Sequence, residues 1–376
     1  MHAILFLTRQ CTLKCSYCYV EKHEKSHMPI EVALKAADLV LEKSVEEKKA
    51  RISFFGGEPF LRFDVMREVT DYAEKKAKKL GVALKLHVAT NGTLITPEII
   101  DWIAKKKLTV ELSLDGVPAA QDANRPFNDG HGSYAAVVKH LPTLYKKAKH
   151  LVAVAVVSPA TAHRLYDSTL HVMDDLGIRN FVPVVDYTAK WDEAGLYTLK
   201  EQYEKLAEWY LERSRTRKKD LFYYSLFDAH IAAHIKGGFR PGDFCDVGRN
   251  IFAVAEDGRI FPCVRFAGKP ERAAGFVMGH VDTGFIMKKC HEIAAENLKP
   301  RTNCQGCSLD GRCFTYCPCL NWDTTGEMTT VPGVLCANES MLIPIADRLA
   351  RELIAEKNPV FMRKHYKKEI EPIDIV

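Results

Sequence analysis

The sequence predicts an α/β protein in which a partial, TIM-like barrel of six βα units is followed by a small cysteine-rich domain. Two observations carry this. Short apolar runs alternate with charged amphipathic segments through the first two thirds of the chain, and most of the cysteines fall in the final third. With 376 residues, 47% of them hydrophobic, the chain is long enough for one large core and one smaller module.

The strands come first. The runs Ala3 to Thr8, Arg51 to Phe55, Ala83 to Ala89, Thr109 to Leu114, Leu151 to Val157 and Asn180 to Val185 are each short and apolar enough to be a buried strand of a parallel sheet. Between them Pro29 to Lys48, Phe63 to Lys79, Pro97 to Lys106, Ser133 to Lys149 and Ala162 to Leu176 space their apolar residues as helices. Two further helices, Lys200 to Arg217 and Tyr223 to Lys236, lead to the Gly237-Gly238-Phe239-Arg240-Pro241-Gly242 loop, where the pattern breaks. From Cys245 to Cys336 amphipathic order is weak, as expected where metal sites replace a hydrophobic core, and a last helix, Ser340 to Lys357, precedes a charged, frayed tail. The expected division is therefore residues 1–218 (barrel), 219–242 (helical bridge), 243–340 (cysteine-rich domain) and 341–376 (C-terminal helix and tail).

The 53 Lys and Arg against 48 Asp and Glu give a net charge of only +5, spread over helix faces, so no nucleic-acid partner is expected and Lys105-Lys106-Lys107 reads as a solvated helix end. No run approaches the roughly 18 apolar residues of a membrane span, and the first residues are too short for a signal peptide, so a cytoplasmic protein is expected. In such a reducing compartment twelve cysteines point to metal ligation rather than disulfides.

The first group is Cys11-Thr12-Leu13-Lys14-Cys15-Ser16-Tyr17-Cys18, directly after the first strand and hence at the C-terminal mouth of a barrel. Three thiolates grip three irons of a [4Fe-4S] cube and leave the fourth open, whereas structural zinc needs four protein ligands. One βα unit later comes Gly56-Gly57-Glu58-Pro59, with two glycines that permit close backbone approach and a charge-assisted acceptor in Glu58. The triplet and this motif together resemble the radical S-adenosylmethionine (radical SAM) superfamily. The resemblance implies that the open iron chelates S-adenosylmethionine, that one electron cleaves its sulfonium, and that the resulting 5′-deoxyadenosyl radical abstracts a hydrogen atom. It also implies that Tyr17, Gly56, Gly57, Glu58, Asn91 of Ala89-Thr90-Asn91-Gly92-Thr93, Ser113 of Ser113-Leu114-Asp115-Gly116, and Arg125 contact the cofactor.

The second group reads Cys245, Gly258-x4-Cys263, Cys304-x2-Cys307-x5-Cys313-x3-Cys317 and Cys336. Alone this spacing also suits zinc knuckles, but joined to the first group it resembles the SPASM extension of radical SAM enzymes. By that resemblance Cys304, Cys307, Cys313 and Cys336 hold one auxiliary [4Fe-4S] cluster, and Cys245, Cys263 and Cys317 hold another. The second set lacks a fourth member, since residues 246–257 contain no cysteine; Cys290, Cys319, a substrate atom or nothing completes it.

Enzymes with this extension modify peptides or proteins, so the expected function is hydrogen abstraction that cross-links or oxidises a ribosomally made peptide. The expected partners are that peptide, a reductant such as flavodoxin or ferredoxin, and a separate leader-binding protein. Formylglycine formation on a sulfatase is the alternative; there an Asp follows the Pro-Cys pair as base, and this chain has Val264, which takes no proton. An iron-sulfur electron carrier or scaffold without radical chemistry is the third reading.

Overall fold

The computed structural model describes residues 1–21, 26–148, 150–217, 219–315 and 317–370. Its strands are β1 (His2–Phe6), β2 (Lys49–Phe55), β3 (Ala83–Thr90), β4 (Thr109–Ser113), β5 (His150–Val157), β6 (Asn180–Val185), β7 (Tyr223–Tyr224), β8 (Ile251–Val254), β9 (Arg259–Phe261), β10 (Gly279–His280) and β11 (Gly284–Phe285). They form one 11-stranded sheet in the order β11-β10-β9-β8-β1-β2-β3-β4-β5-β6-β7. From β8 to β7 every pairing is parallel, and β1 to β6 lie side by side in chain order. Consecutive parallel neighbours need a crossover between each pair, so every strand delivers its loop to the same edge of the sheet.

The crossovers are α1 (Ile30–Lys43), α2 (Phe63–Leu80), α3 (Pro97–Lys106), the short α4 (Pro118–Asn124), α5 (Tyr134–Val138) and α6 (Leu141–Lys147), and α7 (Leu165–Leu170). Local chemistry sets their ends. Thr96 caps α3 by accepting from the Ile99 N–H at 3.3 Å, and Pro97 follows where a missing N–H does no harm. Gly81 closes α2 at φ 67°, a left-handed conformation that a glycine adopts without strain.

The expected helix from Ser133 to Lys149 is broken into α5 and α6, because Pro142 cannot donate to a continuing helix and opens a new one; Lys149 lies outside the described residues. Ala162 to Leu176 divides into a 3-10 turn, α7 and a π turn at His171–Asp175. The helix expected from Lys200 starts earlier, as α8 (Glu193–Thr216), since Asp192 caps it through the Gly195 N–H at 2.7 Å. Tyr223 and Tyr224 form β7 and not the start of α9 (Ser225–Lys236): aromatic side chains fit a sheet edge, and Tyr224 is buried against Trp209 and Phe227.

The cysteine-rich segment carries α10 (Val264–Ala267), α11 (Met287–Asn297) and α12 (Pro318–Thr325), followed by α13 (Gly333–Ala355) and α14 (Pro359–His365). Two expectations change here. The segment does not lack a hydrophobic core: Phe252, Val254, Ile260, Phe261 and Phe266 are buried within the main apolar cluster, and the Phe266 ring stacks on Phe276 with centroids 4.4 Å apart. The charged tail is not frayed before residue 371, because α14 packs Val360, Phe361 and Lys364 inward; residues 371–376 lie outside the described residues. No helix among the described residues is long and apolar enough to cross a membrane.

Candidate functional site

The loop after β1 runs across the sheet edge where β2, β3, β4 and β5 end, and it is stitched down on both sides. On one side the Gly57 N–H donates to the Thr8 carbonyl at 2.7 Å and the Glu58 N–H to the Gln10 carbonyl at 2.8 Å. A Cβ on Gly57 would lie 2.0 Å from the Gln10 oxygen, and one on Gly56 2.5 Å from the Thr8 oxygen. The two glycines thus let the second loop lie directly against the cysteine loop. On the other side Lys14 N–H donates to Pro126 O at 2.8 Å, Ser16 N–H to Asn124 O at 2.9 Å, and Asn128 Nδ2 to Cys11 O at 2.9 Å.

Glu58 sits at the base of this assembly and is fully buried. Its Oε1 accepts from Thr90 Oγ1 at 2.8 Å and the Phe60 N–H at 3.1 Å, and its Oε2 accepts from the Asn91 N–H at 2.8 Å. Burial nevertheless pushes its carboxyl up to about 7, against the three hydrogen bonds that favour the anion. Asn91 links the carboxylate to the cysteines: its Nδ2 is 3.5 Å from Cys11 Sγ and 3.0 Å from Thr12 Oγ1, which also meets Thr93 Oγ1 at 2.8 Å. Burial, and next the Glu58 charge, push the Cys11 thiol up to about 12, with Cys15 and Cys18 adding to the rise. A bound cation reverses that direction, because metal-coordinated thiols are deprotonated outright.

A second polar knot closes the far side. Asp115, just after β4, accepts from Tyr17 OH at 2.7 Å, Arg125 Nε at 3.0 Å, Asn124 Nδ2 at 3.2 Å and the Val156 N–H at 2.9 Å. The Arg125 guanidinium also lies over the Tyr17 ring, 5.2 Å from its centroid. Burial works against the Arg125 charge, and Asp115 more than offsets it, holding the guanidinium firmly protonated; burial likewise raises Tyr17. Tyr17, Glu58, Asn91 and Arg125 therefore share one network with the cysteine loop, while Ser113 ends β4 two residues before Asp115.

Sequence reasoning passed over several members. Asp115 and Thr90 lay within motifs already noted, but only the fold shows that they hold Arg125 and Glu58. Lower in the same sheet His87 of β3 and Glu111 of β4 approach to 3.4 Å with little exposure; the signal was a charged residue inside a buried apolar strand. Tyr19, just past Cys18, carries Arg265 over its ring at 4.6 Å and feels the charges of both Cys263 and Cys18. Arg265 in turn bonds Asp323 at 3.0 Å, a buried carboxylate that also binds Lys269 and Arg272.

The later cysteines fall into two places. Burial, and after it the charges of cysteines within the set, raise Cys304, Cys313 and Cys336, with Cys307 among the charges that each feels; Cys313, also beside Glu339, is pushed up to about 12. Cys245 is pushed up to about 12 by burial and then by the charges of Cys263 and Cys317, whereas Cys263 and Cys317 are both lowered, first by the neighbouring Cys319 side chain. Among the described residues no three such side chains converge on a single-ion site. A four-iron cubane takes one thiolate per iron, so its ligands stand apart around it. The donor chemistry at residues 11–18, soft sulfur beside a buried carboxylate, fits a cluster and a cationic ligand.

Residues 5–163 match the family model described as the Radical SAM superfamily. The chain is 27% identical over 272 residues to the antilisterial bacteriocin subtilosin biosynthesis protein AlbA of Bacillus subtilis, covering 71% of this chain and 55% of that one. It is 23% identical over 400 residues to the serine-type anaerobic sulfatase-maturating enzyme of Bacteroides thetaiotaomicron, covering 95% and 92%. For the first three curated relatives, the match spans only 46%, 35% and 55% of their own length. Among solved structures, anSMEcpe with bound AdoMet superposes with a TM-score of 0.79 at 19% identity, over 95% of this chain and 99% of that one; another structure of it also holds the Kp18Cys peptide. The stitched cysteine loop, the Glu58 cradle and the family match agree, and residues 5–163 of this chain are a radical SAM domain.

Proposed function

We propose that the chain is a radical SAM enzyme that modifies a ribosomally made peptide by hydrogen abstraction. In this reading residues 1–218 form a partial (β/α)6 barrel, 219–242 a bridge, 243–340 a SPASM domain and 341–376 the closing helices. Cys11, Cys15 and Cys18 hold the [4Fe-4S] cluster that binds S-adenosylmethionine. Cys304, Cys307, Cys313 and Cys336 hold one auxiliary cluster, and Cys245, Cys263 and Cys317 belong to another. Bound together, the first cluster and S-adenosylmethionine supply one-electron chemistry that yields a carbon radical.

The observation that carries this reading is the Glu58 carboxylate, buried and aimed by Thr90, Phe60 and Asn91 at the level of the cysteine loop. It is preset to receive an ammonium group, since the hydrogen bonds fix its orientation before a ligand arrives and leave no water to be displaced from a flexible acid. Asn91 holds the position of Cys11, and Asp115 fixes Tyr17 and Arg125 on the opposite wall, so the walls move little as the ligand binds.

The formylglycine reading is disfavoured by one observation: Val264 is a buried aliphatic in α10, at the place where that chemistry uses an Asp. A peptide substrate is favoured by the likeness to AlbA and to anSMEcpe, one structure of which holds a peptide. Flavodoxin or ferredoxin as reductant and a separate leader-binding protein belong to the same proposal.

The test is anaerobic reconstitution with iron and sulfide, then reduction in the presence of S-adenosylmethionine. The wild-type chain should release 5′-deoxyadenosine, and Cys15→Ala should lower release by at least about 100-fold, because the cluster then lacks a ligand. Candidate peptides should lose two hydrogens per event. A reconstituted protein that leaves S-adenosylmethionine intact would establish the electron-carrier reading instead.

A further inference from the structure

A cavity of about 400 Å³ opens where β6 and β7 begin, lined by Arg179, Arg213, Arg217, Lys219, Asp174 and Asp220. Parallel strands start at one edge of a sheet and end at the other, so this cavity lies at the edge opposite the cysteine loop. Nothing in the proposed radical chemistry uses it.

Four cations face two carboxylates there. Asp174 accepts from Arg213 and from Arg217 Nη1 at 2.5 Å, while Asp220 accepts from Arg213 Nη2 at 2.7 Å and has Arg179 Nε 3.3 Å away. The side chains of Arg179 and Arg217 are 61% and 48% exposed, and their other guanidinium N–H groups bond to no described residue. Lys219 is exposed and has no ion pair among the described residues. Arg213 is buried, and its Nε has no hydrogen-bond partner among the described residues. Burial lowers its proton affinity; Asp174 and Asp220 do not offset this, and the Arg217 charge adds to it. The carbonyl end of α8 favours cations but supplies only a partial charge. Four cations less two carboxylates therefore leave two positive charges over, around an open cavity.

We propose that this cavity binds the phosphate group of a small molecule, held by Arg179, Arg217 and Lys219. Guanidinium forks match phosphate oxygens in pairs, and a lysine adds a point charge. The volume suits a ligand of nucleotide size or smaller. A concave, local surplus of charge also differs from the extended basic face that a nucleic acid requires.

Isothermal titration calorimetry on the full, anaerobically reconstituted chain tests this in phosphate-free buffer, with inorganic phosphate, pyrophosphate and uridine diphosphate as probes. Uridine diphosphate carries no adenine, which keeps it apart from a site for S-adenosylmethionine. At least one probe should bind with a dissociation constant of roughly 1 mM or below, and the tightest tells a free anion from a nucleotide. Arg179→Ala and Arg217→Ala should each weaken that binding about 10-fold or more, since each removes hydrogen bonds between charged groups. Arg217→Lys should recover only part of the loss, because it keeps the charge without the fork. Arg215→Ala, on the same helix but paired with Glu352 and Glu356, should bind as the wild type does. Hydrogen exchange should slow on binding in the peptides that contain Arg179 and Arg217. No binding by any of the three probes in that range would overturn the inference. Citrate binding as tightly as the best probe would also overturn it, as would Arg179 and Arg217 variants with wild-type affinity.

Discussion

At the scale of single residues, Glu58 shows how burial and hydrogen bonding compete. Three donors favour its anion, yet desolvation dominates and the carboxyl is raised from 4.5 to about 7. Between those values the folded chain keeps a proton that the unfolded chain has released, so rising pH draws the equilibrium toward the unfolded state. In the metal-free protein, stability should therefore fall on the order of 3 kcal/mol from pH 4.5 to 7, since a one-proton difference between the two states costs about 1.4 kcal/mol for each step of one in pH. Urea titrations across that range check this. Glu58→Gln should be less stable overall, because its amide sets a donor against the Asn91 N–H, but should lose this part of the slope. An unchanged slope would mean that Glu58 is ionised in the folded chain throughout. The motif around Glu58 was readable from the sequence; its preference for the neutral acid was not, since desolvation comes from side chains far apart in the chain.

Among the elements, the six main strands were legible because parallel strands covered on both faces become continuous apolar runs. Helix ends were less so, and each miss has a local cause: Pro142 splits one helix, Asp192 starts another early, and Tyr223-Tyr224 prefers a sheet edge. The last helix was missed because one of its three inward-facing residues is a lysine, which breaks the apolar pattern. Lys364 is buried with its Nζ 2.7 Å from Asp228, 2.9 Å from Tyr210 OH and 3.9 Å from the Phe222 ring centre. Burial lowers the Lys364 proton affinity, while its charge holds Asp228 down at about 2 despite the burial of both. Lys364→Met should cost about 3–5 kcal/mol in urea unfolding by stranding Asp228, and adding Asp228→Asn should recover part of it. A loss below about 1 kcal/mol would show that α14 does not anchor α8 and α9.

In the whole molecule, β8 pairs with β1 in parallel from His2↔Ile251 to Leu5↔Val254, so the sheet runs on from the radical SAM domain into the cysteine-rich segment. Phe252 and Val254 are buried in the shared core. A fragment ending at residue 242 would leave the edge of β1 unpaired and apolar surface bare. It should be recovered mainly in the insoluble fraction or as large aggregates by sedimentation, where the full chain is not. A monodisperse fragment with native helix content would show that the two parts fold independently.

The identity of the N-terminal domain was written in the sequence, because cluster ligation and the Gly-Gly-Glu-Pro turn depend on residue types at short, fixed spacing. The side-by-side order of β1 to β6 is the one that successive βα units of a barrel imply. Only the tertiary structure decided which partners meet across the chain: Asp115 with Arg125, Asn91 with Cys11, Cys319 with Cys263, and β8 with β1. Those pairings depend on how separate segments share buried space, and a burial set by distant neighbours leaves no periodic trace in the residues that undergo it.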